Sequence, residues 1–193
     1  MGALDAGNAG IQGRVEALER EVQDLRRQLE AQRVPDRVSL ICFSGDWDRL
    51  FAALTIASGA LAMGQEVHLF FTFWAVTALR KEGGEASPDK ALSQSMLGSM
   101  LPVGPRGARL SKMHFFGLGK VMMKRLMKKH GVEDIDALMK EVRELGGQFH
   151  LCETSSGLFG LGPGELVDGE SLDRCGVATF LSLAFRSRLV LFV

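Results

Sequence analysis

The stretch "RVSLICFSGDWDRLFAALTIASGALAMGQEVHLFFTF", Arg37 to Phe73, decides the fold. Its opening, "RVSLICF" (37–43), is a short apolar run with β-branched residues. It reads as a buried strand, being too short for a helix. "GDWDRLFAALTIASGALAMG" follows as a helix, with Ser44 or Asp46 as the N-cap and Gly64 past its end. "EVHLFFTF" (66–73) is a second apolar strand. A strand, a helix and another strand in so short a space form a βαβ unit, whose strands lie parallel. Strands that are apolar along nearly their whole length belong to a sheet covered on both faces.

The alternation continues down the chain. "WAVTALRKEG" reads as a short helix closed by Gly83-Gly84, and "VMMKRLMKKHG" and "VEDIDALMKEVRELGG" as amphipathic helices, the second capped near Glu133–Asp134. "QFHLC" (148–152) is a third strand, followed by "TSSGLFGLG" as a turn or short helix. "GELVDG" (164–169) offers a short fourth strand, "SLDRCGVATFLSLAFRS" a helix capped by Ser171 with Cys175 in its middle, and "RLVLFV" the last strand. The expected architecture is a three-layer α/β/α sandwich on a mostly parallel five-stranded sheet. Residues 86–120 interrupt it as a long insertion, rich in Pro, Gly and basic residues, that forms a mobile loop or short helices. With Met96, Met100, Arg106, Arg109, Lys112, Met113 and Phe115-Phe116, it suits an adaptable docking surface or lid, or else a solvated loop with a few core anchors.

Ahead of this domain, residues 1–10 are small and polar and read as disordered. Ile11, Val15, Leu18, Val22, Leu25 and Leu29 then recur at steps of four and three between charged flanks. That is the seam of a short coiled-coil helix. A lone helix of that length is marginal in water, so the seam calls for a partner, either a second copy or the parent domain. Pro35 ends the helix, giving an N-terminal segment at 1–34 and an α/β domain at 35–193.

Composition narrows the function. Lys plus Arg and Asp plus Glu are both 23, a net charge of zero that argues against a dedicated nucleic-acid binder. The chain has 3 Cys, an odd count with no C-x-x-C spacing, so neither a disulfide framework nor a sequence-local zinc site is expected. Free thiols fit a reducing, cytoplasmic compartment. The N-terminus lacks the basic and apolar regions of a signal peptide. Leu50–Gly64 carries no charge and Val67–Leu79 is again apolar, but Gly64-Gln65-Glu66 divides them. Each half is shorter than the ~20 residues of a span, so a buried helix and strand are expected, not a transmembrane hairpin. No G-x-G-x-x-G, Walker or G-x-S-x-G motif is present, and no cofactor or metal is called for.

In a parallel α/β sheet, chemistry gathers at the carboxyl ends of the strands. Those positions here are Ser44-Gly45-Asp46-Trp47, Thr72-Phe73-Trp74, Cys152-Glu153-Thr154 and Asp168-Gly169. Cys152 is the leading candidate. Thr154 and Ser155 follow it at a helix start, where free N–H groups stabilise a thiolate. The ordinary alternative is an inert, buried cysteine. Ser44, Asp46 and Trp74 are candidate ligand-lining residues, although Ser44 and Asp46 also serve as simple caps. Cys42 is a candidate second thiol if the first and third strands are neighbours, and core packing otherwise. His68 and His150 fall inside strands, where a hydrogen-bonded core histidine is the ordinary case.

With these residues in view, the chain resembles the DsrE/DsrF-like family, in its larger DrsE-type branch, over about residues 37–193. "SLICFSGDWDRLFAALTIASGALAMGQEVHLFFTFWAV", "GVEDIDALMKEVRELGGQFHLCETSSGLFGL" and "GVATFLSLAFRSRLVLFV" carry the resemblance. It implies a flavodoxin-like sandwich that forms homo-oligomers. It also implies a sulfur-relay role, with sulfane sulfur held as a cysteine persulfide and exchanged with TusA-like or rhodanese-like carriers. By position, the acceptor is Cys152. The family loop often continues after its cysteine to Ser-Met-Asp, whereas here it reads "CETSSGLFG", without the acid. The competing expectation is a non-catalytic oligomeric scaffold, or a module that binds a partner or small ligand.

Overall fold

A computed structural model describes residues 2–31, 35–85, 90–112, 118–169 and 172–193. The chain divides into two compact units, Met1–Pro35 and Asp36–Val193. The first unit is a helix, α1 (Gly2–Ala31). It begins well before the expected seam, because Ala3, Leu4 and Ala6 are strong helix formers. Val15, Leu18, Val22 and Leu25 of the seam are all exposed. The side chains of Ile11 and Leu29 lie outside the described residues.

The second unit is built on five strands: β1 (Arg37–Cys42), β2 (Glu66–Phe71), β3 (Gln148–Cys152), β4 (Asp173–Cys175) and β5 (Leu189–Phe192), in the order β4-β3-β2-β1-β5. Every pairing is parallel. The expected three-layer α/β/α sandwich on a five-stranded sheet is therefore the observed fold. Alternation along the strands splits the side chains between two faces. On one face, Val38, Leu40, Val67, Leu69, Phe71 and Leu151 pack under α2 (Trp47–Ala62) and α6 (Ile135–Glu144) as the main core. The buried residues of α6 (Ile135, Leu138, Met139 and Val142) follow the helical repeat, and the Asp134 carboxylate caps it by accepting from the Ile135 N–H at 2.8 Å. On the other face, Phe70, Cys152 and Cys175 pack with Phe180 and Ala184 of α8 (Val177–Ala184).

Between β2 and β3 lie a 3₁₀ segment (Phe73–Leu79), α3 (Leu92–Met100), α4 (Gly104–Gly107) and α5 (Leu118–Lys129). The segment expected as an ordinary helix after β2 is thus 3₁₀. The described part of the insertion consists of short helices tied to the body. The Arg80 guanidinium donates to the carbonyls of Gly98, Leu101 and Pro102 at 3.0–3.3 Å, satisfying the end of α3. The Lys90 ammonium meets the buried Glu165 carboxylate at 2.6 Å. Ser111 donates twice to Asp48 at the start of α2. Met113, His114 and Phe115-Phe116 lie outside the described residues.

Two expectations are corrected near the C-terminus. "GELVDG" is not a strand: Pro163–Glu165 is a 3₁₀ turn, and Leu166 forms a single antiparallel bridge with Arg80. The Pro and flanking glycines favour that turn over a ladder. The fourth strand is the polar "DRC" of 173–175, so Cys175 ends a strand and does not lie within a helix. Ser171, the expected cap, lies outside the described residues, and α8 begins only after Gly176.

Candidate functional site

Cys152 is the last residue of β3 and the N-cap of α7 (Glu153–Leu158). The turn follows directly because Thr154, Ser155 and Ser156 favour helix starts, and the Ser156 hydroxyl closes it by donating to the Glu153 carbonyl at 3.0 Å. Cys152 is only 2 % exposed. Burial pushes its thiol pKa up, but four donors outweigh that and leave it lowered. The hydroxyls of Ser155 and Thr72 and the backbone N–H groups of Ser155 and Thr154 surround the sulfur and lower its pKa, although Cys152 makes no regular side-chain cap bond to α7. Each hydrogen bond favours the thiolate over the thiol.

The second strand completes this setting. Thr72 follows β2, and its hydroxyl lies 3.1 Å from that of Ser155. The Phe73 N–H donates to the Ser155 oxygen at 2.9 Å. With its oxygen accepting there, Ser155 keeps a hydroxyl hydrogen to turn on the sulfur. Phe73 has φ +48, a left-handed conformation uncommon for a bulky residue. It is held by that bond and by ring contacts with Phe43, Trp74 and Phe159. Strain of this kind beside a hydrogen-bonded thiol is typical of a functional turn.

The other two thiols differ. Cys42 is on the opposite face of the sheet, beneath α2, with β2 between its strand and β3. It is therefore not a neighbour of Cys152, and its place in the main core matches the alternative reading, core packing. Burial pushes its pKa up to about 12. Cys175, in contrast, is paired in register with Cys152 on the adjacent strand. Burial, then the charges of Asp173, Cys152 and Glu153, push it up to about 11. Cys175 is the member of this setting that sequence reasoning did not place; Thr72 is singled out there only as a strand-end residue. The register bringing Cys175 to Cys152 has no local signal.

Ser44, Asp46 and Trp74 gather at a separate site. With Gly45, Thr77 and Arg109 they line a cavity of about 400 Å³ at the ends of β1 and β2. The Ser44 hydroxyl donates to the Asp46 carboxylate at 2.8 Å and accepts the Asp46 N–H at 3.1 Å. Asp46 occupies the N-cap position of α2 without making a side-chain cap bond. Gly45 is required there, since a Cβ would meet the Trp74 carbonyl oxygen at 2.6 Å. Of the candidates around Cys152, Ser155 supplies a side chain and Thr154 its backbone, the Thr154 residue being exposed. Asp168 pairs with Arg143, away from any strand end.

A strand-end thiol of lowered pKa at a helix start on a parallel sheet defines the class as an α/β protein with a polarised cysteine. Residues 35–192 match the DsrE/DsrF/DrsH-like family, and the chain belongs to it. It is 40% identical over 158 residues to YrkE of Bacillus subtilis, an uncharacterized protein, covering 81% of this chain and 96% of that one. It is 29% identical over 161 residues to the sulfur carrier protein DsrE2 of Allochromatium vinosum, covering 81% and 98%. The ychN protein of E. coli, a solved structure, aligns with a TM-score of 0.46 at 13% identity, covering 81% of this chain and 99% of that one.

Proposed function

We propose that this protein is a sulfur-relay carrier in which Cys152 accepts sulfane sulfur as a persulfide and passes it to a partner thiol. One observation carries the reading: Cys152 ends β3 at the N-cap of α7, beside Thr72 and Ser155, in surroundings that lower its pKa despite burial. The similarity to a protein named as a sulfur carrier supports it. In loading, the thiolate attacks the sulfane sulfur of a polysulfide or persulfide donor. One S–S bond forms on Cys152, the donor's S–S bond breaks, and the donor leaves as a thiolate. In unloading, an acceptor thiolate attacks the outer sulfur, and the Cys152 thiolate is the leaving group. The four donors stabilise Cys152 both before attack and as it leaves. A TusA-like or rhodanese-like carrier, in a reducing cytoplasm, is the expected exchange partner.

Intact-mass spectrometry after polysulfide treatment tests this. The expected result is a gain of one sulfur atom per chain, removed by dithiothreitol and absent from Cys152→Ser. An adduct that survives Cys152→Ser, or no adduct on the wild type, refutes the assignment.

The same fold also supports an oligomeric role. The seam of α1 is exposed, as are Val177, Leu181 and Phe185 on α8 and Leu189 and Phe192 on the edge strand β5. Apolar area of this kind on a helix and a sheet edge is suited to a second copy of the chain. The scaffold reading differs from the carrier reading in one outcome: the wild type takes up no sulfur from polysulfide, and Cys152→Ser changes neither self-association nor partner binding.

A further inference from the structure

Behind the Cys152 site, a chain of polar side chains crosses four strands on one face of the sheet. Arg37 of β1 donates to both oxygens of Glu66, at 3.0 Å each. Glu66 Oε1 lies 2.8 Å from His68 Nε2. His68 Nδ1 lies 2.8 Å from His150 Nε2. His150 Nδ1 meets Asp173 Oδ2 on β4. Both histidines are buried.

Counting hydrogens exposes a conflict in this chain. Two neutral imidazoles bring two ring N–H groups, but there are three gaps to fill. Glu66 is an acceptor already held by Arg37, so it takes the His68 Nε2–H. His68 Nδ1 is then an acceptor and takes the His150 Nε2–H. The His150 Nδ1 lone pair is left pointing at a carboxylate oxygen. The contact is relieved by one more positive centre, either a further proton on the histidine pair or a metal ion taken up between His150 and Asp173. Cys175 supplies a third donor atom at that same point, since it follows Asp173 by two residues and shares its face. His150, Asp173 and Cys175 each offer one ligand atom, all within 4.8 Å of one another.

We propose that His150, Asp173 and Cys175 form a zinc site at the β3–β4 edge. An imidazole nitrogen, a carboxylate oxygen and a thiolate suit Zn²⁺, which takes three protein ligands and leaves a fourth position open. Ligand atoms in a tetrahedral zinc shell stand roughly 3.5 Å apart, so His150 Nδ1 and Asp173 Oδ2, in direct contact here, have to separate as the ion enters, while the Cys175 sulfur closes in. The Asp173 side chain is 61% exposed, and it is the ligand free to make that adjustment. The rest of the polar chain has the form of an outer shell: His68 fixes the His150 tautomer that leaves Nδ1 free for metal, Glu66 fixes His68, and Arg37 fixes Glu66. The site uses neither Cys152 nor the cavity at Ser44, so it stands independently of the sulfur-carrier reading.

The test is metal analysis of the full-length protein with Zn²⁺ added and then dialysed away, together with titration by Co²⁺, whose thiolate charge-transfer absorption reports a sulfur ligand. The expected result is about one Zn²⁺ per chain, with that absorption present in the wild type and in Cys152→Ser and Cys42→Ser. Zinc falls below about a tenth of an equivalent in Cys175→Ser and in Asp173→Asn, whose site residue is exposed and whose fold is checked by circular dichroism. Glu66→Gln keeps the site but weakens it ~10-fold or more, the usual effect of an outer-shell change. The proposal is overturned if the wild type retains no stoichiometric Zn²⁺. It is also overturned if folded Asp173→Asn binds as well as the wild type, or if the absorption survives Cys175→Ser. Loss of zinc in Cys42→Ser would equally overturn it.

Discussion

The hydroxyl of Ser155 has two roles, holding the Phe73 N–H and polarising the Cys152 sulfur, and substitution separates them. Ser155→Ala leaves a backbone N–H without its acceptor, a cost of ~1–3 kcal/mol, and removes one donor from the thiolate. Thr72→Val removes a donor from the sulfur while leaving the Phe73 bond in place. Both variants are expected to alkylate Cys152 several-fold more slowly than the wild type at neutral pH, as read by timed iodoacetamide trapping and peptide mass spectrometry. Alkylation of Thr72→Val at the wild-type rate would show that its hydroxyl does not tune the thiol. Gly45→Ala is expected to cost ~1–3 kcal/mol and lower Tm, because a Cβ there meets the Trp74 carbonyl at 2.6 Å and the Thr77 hydroxyl at 2.8 Å. Cys42 sets an alkaline limit. Its folded pKa is raised to about 12, so the unfolded chain releases this proton first as pH rises past about 8.5. The unfolded state then binds fewer protons than the native one, and stability falls with pH, by about 1.4 kcal/mol per pH unit in that window. Denaturant melts of the wild type between about pH 9 and pH 11 should show the slope, and Cys42→Ala should lack this contribution.

Between elements, the join with most at stake is Lys90–Glu165, where both side chains are 7% exposed and α3 is fastened to the turn at 163–165. Removing Lys90 leaves the buried Glu165 carboxylate with Arg80 at 3.8 Å and the Gly162 N–H at 3.3 Å, so Lys90→Met should destabilise by ~1–3 kcal/mol, while Lys90→Met combined with Glu165→Leu should recover part of that loss. Chemical denaturation of the single and double variants decides this; equal stabilities would mean that the pair carries no such load. The elements also show what the sequence made legible. β1, α2, β2, α6 and β3 each bury a full face, and burial writes a period into the residues, so all five were readable. β4 has three residues of which only Cys175 is buried, leaving no pattern to find. The hydrophobic "ELV" of 165–167 imitates a strand because Leu166 is fully buried, yet it is buried by a turn. Cys152, Thr154 and Ser155 were legible as strand-end and helix-start residues. The grouping of Ser44, Asp46 and Trp74 around a different cavity, and of Cys175 beside Cys152, depends on strand order, which no local pattern encodes.

At the scale of the whole molecule, the N-terminal helix and the α/β unit make separate contributions. Deleting residues 1–34 should lower the mass seen by light scattering without changing the Tm of the remaining unit, if the exposed seam of α1 serves assembly. An unchanged mass would assign assembly to other surfaces. The α/β unit has its own unevenness. β2 is laddered on both sides, whereas β4 is three residues long, sits at the edge and is hydrogen-bonded as a strand to β3 alone. Opening free energies in native proteins range from near zero at such edges up to the global value in central strands. In the metal-free protein, amides of 174–175 should therefore exchange with deuterium far faster than those of 68–71. Reagent access to the covered Cys152 thiol should follow that same partial unfolding, with a denaturant dependence much shallower than that of the global transition. The shortest strand in the sheet would then act as a hatch, and how often it frays, more than any fixed channel, would set how often the thiol meets its reagent.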